Sequence, residues 1–472
     1  MEKAWLSVRP TGSVLLTALL FAACANGSVG LNGASGAAAP QRVSPASSSS
    51  SASPIQHVVV IVQENRSFND FFATFPNADG ATQGLMKTST GDQYVTLKKV
   101  NLAEPCDFTH SYHSFQKADD GGKMDGFNLE GGGRGQQCRD NPTGPYQYVN
   151  PQQIAPYWDI AMQYVLADHT FQTQGSGSFT AHQDLIAGAT IIDPEQTRSL
   201  VDLPTNEPWG CDSPPGTHTS VLRYIHAGVF KYKAHTGPYP CLTYHTIRDL
   251  LDAKSISWRY YCPPVFGGTG NMWNAFDPIK AVREGPEWGV NVTDSDTQIF
   301  TDISKGVLPA VTWVIPDGED SDHPGQQEDD GPSWVASLVN AVGQSSYWNT
   351  SAIIIVWDDW GGFYDSFPPP LQDHWGGLGF RVPMMIVSPY AREGSGSGGY
   401  VSHTQYEFGS ILKFIEGTFG LGSLGTTDVR ANSLVDSFDF TQQPRSFSVI
   451  PSKRNKAYFI HRGPTHVPVD SE

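Results

Sequence analysis

Along most of its length the chain sets continuous apolar runs between stretches rich in Gly, Pro and polar residues. HVVVIV at 57–62 and AIIIVW at 352–357 are apolar at successive positions, the pattern of strands covered on both faces. VTWVIP at 311–316 and VPMMIV at 382–387 read the same way. TIRDLLDAKS, PSWVASLVNAV and YEFGSILKFIEGTF, between or after them, predict helices. The alternation predicts an α/β fold with a central sheet and helices on both faces.

Two of the apolar runs end in polar clusters. ENRS follows VVVIVQ, and DDWGG follows AIIIVW. Ligands of open α/β sheets bind beyond the carboxyl ends of strands, so these distant segments are expected to converge. Glu64, Asn65, Asp358 and Asp359 offer hard oxygen ligands, and adjacent aspartates are costly to bury without a compensating cation. One divalent metal answers that cost. Oxygen donors favour magnesium, calcium or manganese, while nearby histidines admit zinc or iron, so its identity stays open.

GSGSFTAHQDLIAG, residues 175–188, supplies a nucleophile candidate: small residues precede Ser178, and AHQDLIAG reads as a helix start. A metal lowers the pKa of a bound hydroxyl, so Ser178 is expected to attack phosphorus as an alkoxide. His110, His182, His323 and His403 lie in polar loops or at helix starts, and one or two of them are expected to hold phosphoryl oxygens or protonate a leaving group. Arg66 reads either as a phosphate contact or as the ion-pair partner of a neighbouring carboxylate.

Composition narrows the surroundings. A net charge of −17 and a pI near 5.2 disfavour nucleic acid as a partner. Lys3 and Arg9 precede the apolar SVLLTALLF, and FAAC ends at Cys24, the pattern of an export leader. FAAC resembles a lipobox, which makes Cys24 a lipidated membrane anchor; the alternative is an ordinary leader cut near Ala23. Either way the chain is expected outside the cytoplasm, in the periplasm or cell envelope or secreted. Residues 25–54 read as a flexible Gly/Ala/Ser/Pro tether, and 55–472 as one catalytic domain. In an oxidising compartment we expect the disulfides Cys106–Cys138 and Cys211–Cys241, with Cys262 free.

ENRSFND, KMDGF, YWDIAMQYVLADHTFQ, GSFTAHQDLIAG, WVIPDGEDSDHP, VWDDWGGFYDSFPPP, GFRVPMMIVSPYAR and HTQYEFGSILKFIE resemble, in order, the motifs of the bacterial phosphoesterase family that contains nonspecific phospholipases C and AcpA-type acid phosphatases. The resemblance spans roughly 55–445. It implies an alkaline phosphatase-like fold with a mixed, mostly parallel sheet between helical layers. It implies metal binding by Glu64, Asn65, Asp358 and Asp359, nucleophilic Ser178, and His110 and His323 near the phosphate.

The chain departs from the phospholipase branch at Asn69, Trp360 and Ser366, where that branch has an acid and two histidines. Ser178 stands where it usually has Thr, and the extra C-terminal β-domains of many haemolytic enzymes are not seen after the core. The expected function is hydrolysis of a phosphate ester or phospholipid through a phosphoseryl intermediate. The rival is a surface lipoprotein that binds a cell-surface partner on a degenerate scaffold.

Overall fold

The computed structural model describes residues 53–465, apart from 104, 133–137, 139, 227, 267–269, 326–327, 371–372 and 396–397. The expected leader, Cys24 and most of the tether lie outside the described residues.

The four apolar runs are strands of one eight-stranded sheet, in the order 292–293, 258–261, 311–314, 57–63, 351–357, 384–387, 165–167 and 400–402. Its pairings are parallel except where Met384–Val387 runs antiparallel to both of its neighbours, so the sheet is mixed and mostly parallel. Every residue of Ser351–Trp357 is buried, as is all of His57–Gln63 except its first residue, as continuous apolar runs require. Burial of each Val or Ile there contributes about 1.5–3 kcal/mol. The run at 382–387 enters the sheet only at Met384, because Pro383 has no N–H to give a ladder.

The helix Gly331–Gly343 packs on Ala155–Gln163 and on the strand Ser351–Trp357, while Ser178–Ala187 packs on Phe408–Phe419. Cys106 pairs with Cys138 and Cys211 with Cys241, and Cys262 is free and buried.

What positions the site is register. Gln63 pairs with Trp357 in the parallel ladder, so the next residues, Glu64 and Asp358, leave the sheet side by side. The Asp358 N–H donates to the Gln63 carbonyl at 2.9 Å, and the Glu64 N–H donates to the Ser321 carbonyl at 2.8 Å.

Candidate active site

At the end of the first strand Asn65 takes a left-handed backbone conformation, φ 59°, which Asn tolerates better than most residues. The turn aims its N–H at Asp358 Oδ1, 2.9 Å away. Gly361, at φ 61°, lies so close that a Cβ there would sit 2.1 Å from the Asn65 carbonyl oxygen. Its N–H donates to Asp359 Oδ1 at 2.8 Å and so fixes the second aspartate. The two polar segments therefore interlock through backbone as well as side chains.

Ser178 is the first residue of the helix Ser178–Ala187, one turn earlier than the sequence suggests. Gly177 at the cap is extended and has no side chain to accept from the first helical N–H groups, which favours negative charge at this end. The Ser178 Oγ lies 3.2 Å from both Asn65 Oδ1 and Asp359 Oδ2. The other end of the Asn65 amide, Nδ2, is 3.0 Å from His110 Nε2, while His110 Nδ1 is 2.8 Å from the Phe108 carbonyl. These partners set the tautomer: Nδ1–H donates to Phe108 and Nε2 accepts from Asn65. His110 Nε2 is also 3.8 Å from Asp359 Oδ2.

One helical turn beyond Ser178, His182 projects from the same face. Its Nε2 is 3.0 Å from Glu64 Oε1 and 3.8 Å from Asp358 Oδ2. Burial pushes its pKa down to about 4, against the pull of Asp358, so the ring is neutral at neutral pH. Glu64, His182 and Asp358 bring three buried donor atoms within 4.8 Å of one another. Asp358 Oδ1 accepts from the N–H groups of Asn65 and Asp359, whereas its buried Oδ2 has no hydrogen-bond partner. A buried carboxylate oxygen in that state beside two further donors fits a divalent cation. One imidazole among the carboxylates extends the range to zinc, iron or manganese.

The structure thus brings together Glu64, Asn65, His110, Ser178, His182, Asp358 and Asp359. It moves His182, expected at the substrate, in among the carboxylates. The spacing of four from Ser178 was the signal for this, since i and i+4 share a helix face. Arg66, read either as a phosphate contact or as the ion-pair partner of a neighbouring carboxylate, takes the second role: its buried guanidinium pairs with Asp70 at 3.0 Å and also donates to the carbonyls of Asp322 at 2.8 Å and Leu102 at 3.1 Å. It braces the loop behind the site. His403, also expected at the substrate, bonds to Asp168, with Nδ1 3.0 and 2.9 Å from the two carboxylate oxygens. His323 places Nδ1 2.6 Å from the Pro324 carbonyl and its ring 5.9 Å from that of Trp273. Trp360, which departs from the histidine of the resembled motif, packs against Phe127 and Phe380.

A cavity of about 770 Å³ lies beside His110, lined by its chain neighbours Thr109 and Ser111 and by Lys117, Asp202, Glu207 and Tyr232. Asp202 reaches toward the nucleophile's loop: its N–H donates to Ser176 Oγ at 2.8 Å, and its carboxylate accepts from the Tyr112 N–H at 2.8 Å. Burial raises its pKa. Sequence periodicity gave no sign of this wall, which comes from loops.

Known proteins resemble this chain over most of its length. Phospholipase C B of Mycobacterium tuberculosis is 25% identical over 459 residues, covering 85% of this chain and 80% of that protein. A non-hemolytic phospholipase C of Pseudomonas aeruginosa is 24% identical over 421 residues, covering 78% of this chain and 54% of that one. Among solved structures, an alkaline phosphatase superfamily protein from Vibrio parahaemolyticus aligns over 82% of this chain and 73% of its own, with 10% identity and a TM-score of 0.37. The profile of the phosphoesterase family matches residues 55–422, which include every residue of the site. The chain belongs to the phosphoesterase family and is a phosphoric ester hydrolase.

Proposed function

We propose that the protein is an exported, metal-dependent phosphoesterase, of acid phosphatase or phospholipase C type, that works through a phosphoseryl intermediate on Ser178. The observation that carries this is the Ser178 hydroxyl, 3.2 Å from both Asn65 Oδ1 and Asp359 Oδ2 at an uncapped helix start, beside the Glu64, His182 and Asp358 cluster.

Glu64, His182 and Asp358 would hold the cation, with Asn65, Ser178 and Asp359 at its border. When bound, it would favour the Ser178 alkoxide and offset phosphoryl charge. Asp359 accepts the Ser178 hydroxyl proton as Oγ bonds to phosphorus and the ester P–O bond breaks. His110, within 3.8 Å of the same Asp359 oxygen, carries the proton to the departing alkoxide. Water then attacks the phosphoserine, releases the phosphate product and restores the hydroxyl. The N–H groups at the head of the Ser178 helix favour the negative phosphoryl oxygens.

The cavity beside His110 mixes charged side chains, Lys117, Asp202 and Glu207, with the apolar Leu203, Pro204 and Trp209, a lining that accommodates an amphiphilic leaving group. Two buried disulfide-bonded half-cystines, Cys106 and Cys138, and the second pair, Cys211 and Cys241, support assembly outside the cytoplasm. Envelope anchoring through Cys24 belongs to the same reading. With nucleophile and carboxylates in place, the binding-only scaffold has no observation in its favour.

The test compares p-nitrophenyl phosphate with p-nitrophenylphosphorylcholine, before and after chelation, using wild type and Ser178→Ala. Chelator-sensitive turnover should vanish in Ser178→Ala, and acid quenching of wild type should leave phosphate on the peptide that contains Ser178. A Ser178→Ala protein with near-wild-type turnover would sink the nucleophile assignment. Faster release from the choline diester would favour the phospholipase branch.

A further inference from the structure

We propose that Asp79, Asp168, His169 and His403 form a second divalent-metal site, of zinc class, at the same carboxyl end of the sheet as the Ser178 cluster and separate from it.

The strands 165–167 and 400–402 run parallel with Ala167 opposite Ser402, so Asp168 and His403 leave the sheet side by side. His403 Nδ1 then meets both carboxylate oxygens of Asp168, at 3.0 and 2.9 Å. His169 Nε2 lies 2.9 Å from Asp79 Oδ2, which is itself 3.9 Å from His403 Nδ1. One donor atom from each of the four residues falls within 4.8 Å of the others. Three segments distant in sequence thus deliver two imidazoles and two carboxylates to one point.

The backbone is held for this arrangement by residues that are not donors. Asn69 grips Ala81 with both ends of its amide, at 2.7 and 2.9 Å, and so fixes the loop that carries Asp79. The Asp79 N–H donates to Asp168 Oδ2 at 2.8 Å. Arg381 bridges the carbonyls of Asp79 and Asp168 at 3.0 and 2.9 Å, while Asp365 matches its charge at 2.8 and 3.1 Å. The guanidinium therefore sits behind the cluster and leaves the carboxylates facing the imidazoles.

Donor chemistry selects the ligand. Two nitrogens and two oxygens without a thiolate suit zinc or a similar first-row divalent ion, and poorly suit calcium, which prefers oxygen alone. Access is open: the side chains of Asp79 and His403 are about half exposed, at 47% and 53%, while Asp168 is buried. A third acidic group, Asp296, Asp317 and Asp320, differs because the guanidinium of Arg462 already bonds Asp317 and Asp320. Asp168 and Asp358 follow strands separated by one strand, which puts the two sites about 10 Å apart. They share no residue.

The test is calorimetric titration of zinc into the chelator-stripped full chain. Wild type should take two equivalents, His169→Ala/His403→Ala one, and Glu64→Gln/Asp358→Asn one. Asp79→Asn, which keeps the backbone contacts, should weaken the second equivalent by at least about 100-fold. A single wild-type equivalent that disappears in the double-histidine variant would support this site and count against the metal at Ser178. Unchanged stoichiometry and affinity in both the double-histidine and Asp79→Asn proteins would overturn the proposal. So would a Glu64→Gln/Asp358→Asn protein that binds no zinc.

Discussion

Gly361 and Asn65 touch backbone to backbone, so closely that a Cβ on the glycine would lie 2.1 Å from the asparagine carbonyl oxygen. Space and the positive φ of 61° both exclude a side chain there. Gly361→Ala should therefore cost about 2–4 kcal/mol of stability. It should also lower kcat sharply, because the Gly361 N–H holds Asp359 and the Asn65 amide holds Ser178. Thermal melts and steady-state rates on one preparation check both; a melt and kcat like wild type would contradict the contact.

His110 has a distinguishable kinetic signature. A group that protonates the leaving alkoxide matters most when that alkoxide is strongly basic. His110→Ala should slow an alkyl phosphate by about 100-fold or more, and p-nitrophenyl phosphate by less than about 10-fold. Equal loss on both substrates would assign the residue to positioning Asn65 instead.

Arg66 should behave as a brace. Lys cannot satisfy Asp70 and the carbonyls of Asp322 and Leu102 together, so Arg66→Lys should destabilise by about 3–5 kcal/mol. Chemical denaturation should show this loss while KM of the surviving folded protein stays within about 3-fold, less than the tenfold that 1.4 kcal/mol of lost binding would give. A large KM change with intact stability would restore the phosphate-contact reading.

Asp296 links stability to pH. Burial, reinforced by Asp317, raises its pKa from 3.8 to about 7. The unfolded chain gives up this proton near 3.8 and the folded chain only near 7. Its contribution is therefore full below pH 3.8 and is lost as pH rises through about 7. Asp296→Asn keeps an oxygen to accept from the Thr297 N–H, a bond of 2.8 Å in the native chain. The variant should melt a few degrees above wild type at about pH 8, with the gain shrinking toward pH 4. A gain independent of pH would rule out the titration of Asp296 as its cause.

Much of this architecture was legible because long buried strands write themselves as continuous apolar runs, and the Gln63–Trp357 register does the rest for Glu64 and Asp358. Ser178 was legible from the small residues before it, and the placement of His182 was available from helical spacing. Arg66 was ambiguous because two of its acceptors are backbone carbonyls, which every residue carries. The pairing of His403 with Asp168 was hidden for another reason: the strands that align them have three residues each, too few to show a period.

The central position of His57–Gln63 also governs when the molecule can assemble. Its sheet neighbours are Val311–Val314 and Ser351–Trp357, so this strand cannot pair until segments roughly 250 and 290 residues further along the chain are available. Until then both edges of VVVIV are unpaired, a pattern prone to aggregation, and Glu64 has no Asp358 beside it. The Ser178 cluster therefore forms only when nearly the whole chain folds together, a condition that suits assembly after export.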